Sequence, residues 1–184
     1  MNKKPKSIFA IKDIAILGVL LALYVVTGVF SIRVGSIFKL GFTFVAIATA
    51  GAIYGPVAGG MVGGLGDVLA FLVNPTGAYF PGFTLTAFLS GVVFGVFLKK
   101  KPNIFHIIIA SFIVEFVGGL VLNTFWISII VGKAYSALVP GRALQAVCMF
   151  VVQVVVITLM NRFLYPILHK LTKPEEEPPL LREC

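Results

Sequence analysis

Two carboxylates stand where carboxylates are costly. Asp67 lies in GGLGDVLAF and Glu115 in FIVEFVGG, each inside a long apolar run. A charged group at bilayer depth is expensive unless it is paired, protonated or hydrated. Each is therefore a candidate for function, or else a carboxylate that fixes helix packing. Asp67 is the stronger candidate, about two turns before a loop at 74–80; the residues flanking Glu115 offer it no partner. A second set is cationic: Arg33, Lys39, Lys133 and Arg142, with no acidic residue in the same segments. Singly, each could snorkel to lipid headgroups. As a set they describe a mouth for an anion. A third set is flat or amide-bearing. Tyr79, Phe80 and Phe83 flank a proline; Asn123 and Trp126 are three apart in LVLNTFWIS, as are Arg142 and Gln145 in PGRALQ. Residues three apart share a helix face. Trp126 could equally belong to an interfacial aromatic belt. Cations, a carboxylate, amides and aromatics together describe a pocket for a flat, hydrogen-bonding, anionic small molecule.

The elements that would position these groups are membrane helices. Of the 184 residues, 59% are hydrophobic, and the apolar runs approach the roughly 20 residues that a bilayer crossing needs. The runs are continuous and do not alternate with period two, which argues against a barrel. The expected fold is an all-α integral membrane protein, a six-helix bundle with spans at 10–31, 41–55, 56–73, 81–98, 104–131 and 140–168. Tyr54-Gly55-Pro56 should break the second span from the third. Pro81 should open the fourth, where its missing N–H does no harm. Residues 1–173 form one membrane domain, and 174–184 are an acidic, proline-rich tail expected to be disordered.

The net charge of +8 reads as a topology signal rather than as a nucleic-acid footprint. Lys3, Lys4, Lys6, Lys12, Lys99, Lys100, Lys101, Arg162, Lys170 and Lys173 fall on one face of the threading. The positive-inside bias makes that face cytoplasmic, with both termini on it. The loops at 31–40, 74–80 and 132–139, with the four other cations, then face outward. Glycines crowd the third span, where close helix packing explains them. Ala15, Gly18 and Ala22 form a small-residue face on the first span that could pack internally or hold a partner helix. Cys148 and Cys184 give no disulfide framework, and His106 and His169 lack metal spacing. No phosphate-binding loop, metalloprotease motif or serine triad occurs, so neither a metal, a cofactor nor an enzymatic activity is expected.

The stretch GDVLAFLVNPTGAYFPGFTLTAFLSGVVFG, followed by LNTFWISIIVGKAY and PGRALQ, resembles the folate-specific substrate-binding subunits (FolT-type S components) of energy-coupling factor (ECF) vitamin transporters. NPTGAYFPGFTL is its most specific part. The resemblance implies a six-helix bundle with a vitamin site open to the outside of a bacterial cell membrane. It also implies association with a membrane coupling protein, EcfT, and two ABC ATPases that use the ATP, and delivery by toppling of the subunit. Related subunits dock the coupling protein through a small-residue motif that maps here to Ala15, Gly18 and Ala22. On this resemblance the ligand is folate or a related pterin-glutamate. Asp67 or Asn123 would meet the pterin edge, and Tyr79, Phe80, Phe83 or Trp126 its faces. Arg33, Lys39, Lys133 or Arg142 would meet the glutamate carboxylates, with Gln145 beside them. Another vitamin, or a stand-alone facilitator, is the alternative.

Overall fold

The computed structural model describes residues 11–34, 38–75, 79–99, 103–132 and 134–172. Six helices carry almost all of them: α1 (Ile11–Val29), α2 (Thr43–Tyr54), α3 (Pro56–Val73), α4 (Pro81–Leu98), α5 (Ile104–Val131) and α6 (Tyr135–Thr172). Lys133 and the tail at 174–184 lie outside the described residues. Five helices, all but α2, are long and apolar enough to cross a membrane.

Helix ends follow the local chemistry. Gly55 takes φ 97°, a conformation that favours glycine, and Pro56 opens α3 at its first turn. Pro81 does the same for α4. Gly132, in the left-handed region at φ 67°, ends α5 with its N–H on the Ser128 carbonyl at 3.0 Å. The last helix begins at Tyr135 rather than at 140, because Ala134 accepts the Ala137 N–H at 3.0 Å and closes a turn ahead of Pro140.

The segment expected to be a loop at 31–40 is partly an antiparallel hairpin. Strand β1 (Ile32–Val34) pairs with β2 (Phe38–Leu40), and the register sets Arg33 opposite Lys39. The chain therefore enters α2 late. Twelve residues span about 18 Å at 1.5 Å each, short of the roughly 30 Å hydrocarbon core. Such a helix is tolerated because protein covers it: Phe44, and Ala46 through Gly51, are buried.

Glycines weld α2, α3 and α4. A Cβ on Gly91 would overlap the Gly59 carbonyl, one on Gly63 the Ala87 carbonyl, and one on Gly51 would come within 2.7 Å of the Gly95 nitrogen. Lipid gives apolar side chains no drive to associate, so this close backbone approach supplies the dispersion contact instead. Beside the seam, Phe94, Leu98, Ile107 and Ala110 form a core 2% exposed or less.

Candidate functional site

All six helices contribute to one cavity of about 540 Å³, within the size range of small-molecule sites. Of the residues singled out from sequence, Asp67, Tyr79, Phe80, Phe83, Asn123, Arg142 and Gln145 line it. Trp126 stands behind the wall. Its ring lies 5.4 Å from that of Phe80, and its indole N–H donates to Thr86 Oγ1 at 3.2 Å. Gly82 makes room for this stack, since a Cβ there would come within 2.6 Å of both rings. Trp126 thus positions Phe80. The side chains of Arg33, Lys39 and Lys133 lie outside the described residues.

Asp67, on α3, is half-buried and accepts the Thr84 hydroxyl at 2.8 Å; Thr84 Oγ1 in turn lies 2.9 Å from the Tyr79 hydroxyl. The chain ties α3, the start of α4 and the segment before it into one wall. Tyr79 also meets Phe71 at 5.2 Å between ring centroids, and Phe80 meets Phe83 edge-on at 6.2 Å.

The opposite wall comes from α5 and α6. Glu115, Gly119, Asn123, Ile127 and Val131 all line the cavity, each four residues from the next. On an α-helix of 3.6 residues per turn this spacing drifts steadily round the axis. Here Ile113–Leu122 is a π-helix, whose wider i→i+5 turns carry residues four apart back the other way. The two drifts oppose each other, and one stripe faces the cavity for the whole length. Along α6 the matching stripe is Arg142, Gln145, Ala146, Met149 and Gln153, an ordinary helical spacing.

Glu115 has a partner that its sequence neighbours did not reveal. Gln153 Nε2 donates to Glu115 Oε1 at 2.7 Å across the two helices. Arg142 turns into the bundle: its Nη2 donates to the Gly119 carbonyl at 3.3 Å, close enough to Glu115 for electrostatic attraction. Three buried atoms of this wall, Asn123 Oδ1, Arg142 Nε and Gln153 Oε1, have no hydrogen-bond partner among the described residues. Buried polar atoms are rarely left so; in a cavity wall such atoms are within reach of a molecule that enters it. Gln153 and Thr86 also line the cavity and were not singled out from sequence. A lone amide in the apolar run FVVQVVV was the signal for Gln153.

At the far end of α1, Ala15, Gly18 and Ala22 are exposed, and among the described residues nothing lies within 4 Å of a Cβ built on Gly18. Among those residues, that face is left open.

A family model described as the S component of an ECF-type riboflavin transporter matches residues 8–170. The chain belongs to the S components of ECF-type transporters. Among curated relatives, a folate transporter FolT of Clostridium novyi is 39% identical to this S component over 122 residues, 66% of this chain and 71% of the relative. A second FolT, from Leuconostoc mesenteroides, is 27% identical over 152 residues, 78% and 80% of the two chains. Among solved structures, a crystal structure of FolT bound with folic acid matches with a TM-score of 0.73 at 35% identity, covering 80% of this S component and 90% of that chain. This S component is a multi-pass membrane protein.

Proposed function

We propose that this S component captures folate, or a related pterin-glutamate, from outside the cell for import. One observation carries the reading: the fold shared with a FolT solved with folic acid encloses a cavity whose walls suit that compound. Folate joins a flat pterin, with an amide and an amino group on one edge, to a glutamate bearing two carboxylates. Phe80, Phe83 and Tyr79 offer aromatic faces to the rings, with Trp126 holding Phe80 in place. Acceptors such as Asp67 and Asn123 suit the polar edge. Arg142 suits a carboxylate, as do Arg33, Lys39 and Lys133, which the sequence places in the loops of the same end, and Gln145 lies beside Arg142.

The charge pattern supports a cavity that opens outward, with both termini cytoplasmic, in a bacterial cell membrane. The chain itself would use no cofactor and catalyse no reaction. ATP would be consumed by two ABC ATPases coupled through EcfT. The unpacked face of Ala15, Gly18 and Ala22 is the surface proposed to meet EcfT, and toppling of the whole subunit would then turn the site to the cytoplasm.

Riboflavin is the second reading, because the matching family model carries that name. Riboflavin is flat but lacks carboxylates, so it leaves Arg142 uncompensated by ligand. Purification from cells supplied with both vitamins, denaturation, and absorbance and mass of the released compound separate the two. A pterin supports the folate reading. A flavin replaces it with the second. Release of neither, with flux through the protein alone in vesicles, points to a stand-alone facilitator.

A further inference from the structure

We propose that Glu115 and Gln153 together read the donor-bearing edge of the ligand's fused ring and so decide which pteridines the protein accepts. This rests on the folate reading above. It assigns the edge-reading task to the α5–α6 wall, while Asp67 ties α3 to Thr84 and through it to Tyr79.

The two side chains form one unit. Gln153 is 2% exposed, and its Nε2 donates to Glu115 Oε1 at 2.7 Å. An amide that turns its N–H₂ toward a carboxylate must turn its oxygen elsewhere. That oxygen, Gln153 Oε1, is buried with no partner among the described residues. An unmet buried acceptor costs stability, and this one, unlike the unpaired hydroxyls of Ser111, Thr124 and Thr158, belongs to a residue of the cavity wall, where a bound molecule can meet it. The carboxylate itself has about four acceptor positions, of which Gln153 engages one. Gly119 leaves space around its other oxygen: a Cβ there would come within 3.1 Å of Glu115 Oε2. Arg142, bound to the Gly119 carbonyl, supplies a guanidinium in electrostatic reach. All four residues line the same cavity. Glu115 and Gln153 thus bring three acceptor oxygens together in one wall, two of the carboxylate and one of the amide, with the Arg142 guanidinium as the neighbouring donor.

Three acceptors set together suit a ligand edge that carries adjacent donors. A 2-amino-4-oxopteridine has one: its 2-amino group and the adjacent ring N–H. A 2,4-diaminopteridine replaces that ring N–H with a lone pair, which would face the carboxylate. A buried mismatch of this kind discriminates far more strongly than a change of size.

The test titrates purified wild type and the Glu115→Gln variant with folic acid and with its 4-amino analogue, in which an amino group replaces the 4-oxo group. Wild type should prefer folic acid. Glu115→Gln, which adds a donor beside an acceptor, should narrow that preference by about tenfold or more. Gln153→Met, which keeps the volume and removes Oε1, should narrow it in the same direction and serves if the first variant fails to fold. Equal loss of affinity for both compounds would show a packing role and overturn the proposal, as would an unchanged preference. Binding of neither compound by wild type is a separate failure, that of the folate reading itself, and takes this inference with it.

Discussion

Arg142 is the one cation of the four-residue set whose side chain can be followed, and it enters the cavity rather than lipid. Its Nη2 holds the Gly119 carbonyl while its buried Nε has no partner among the described residues. Hydrogen bonds to charged groups contribute about 1.5–3 kcal/mol. Arg142→Ala should therefore weaken folate binding roughly ten- to 150-fold by calorimetric titration; an unchanged affinity would remove Arg142 from the site. The Asp67–Thr84–Tyr79 chain makes a gentler prediction. Thr84→Val keeps the shape and removes both hydrogen bonds. Folate affinity should fall by about 0.5–1.5 kcal/mol, and Tyr79→Phe in the same background should add little, because its partner is already gone. Additive losses would contradict the chain. At this scale the sequence showed which residue types were out of place, Asp67 and Glu115 in apolar runs. It did not show Glu115's partner, because Gln153 lies 38 positions away and only helix packing brings them together.

The elements divide into a welded part and a registered part. In the welded part, α3 and α4 touch backbone to backbone through glycines. Gly91→Ala would drive a methyl into the Gly59 carbonyl, so thermal unfolding in detergent should show a loss of about 3 kcal/mol or more. Gly64→Ala is its control, since a Cβ there meets Phe88 carbons at an ordinary 3.6 Å. Alanine at that position should be neutral or slightly stabilising, as glycine is a poor helix former. Equal damage from both would mean that the seam is not what holds the helices. In the registered part, the π-helix keeps Glu115, Gly119 and Asn123 on the cavity side. Helix limits at Gly55, Pro56, Pro81 and Gly132 were legible because glycine and proline act on their own backbone. The pairing of Ile32–Val34 with Phe38–Leu40 and the π-helix at 113–122 were not. Each depends on a hydrogen-bond pattern that the apolar run itself does not encode. The short α2 followed from the hairpin.

At the scale of the whole molecule, the bundle carries a cavity lined by all six helices and, on α1, a small-residue face left open among the described residues. The bundle, its helix count and the gathering of seven of the eleven selected residues around one cavity could be read from hydropathy, charge and resemblance, since these set which segments enter lipid. Trp126's supporting place could not, because three-residue spacing fixes a face and not what covers it. The two features should separate under mutation. Gly18→Leu should abolish co-purification with EcfT and the ATPases while leaving folate affinity within about twofold, as among the described residues nothing lies within 4 Å of a Cβ built there. Loss of folate binding in that variant would show instead that the face supports the fold.

The most direct measurement is a calorimetric titration of the purified, ligand-stripped protein with folic acid and, separately, with riboflavin. Saturable one-to-one binding of folic acid that riboflavin does not compete away is the predicted result. Saturable binding of riboflavin, with no heat or displacement from folic acid, would contradict the account.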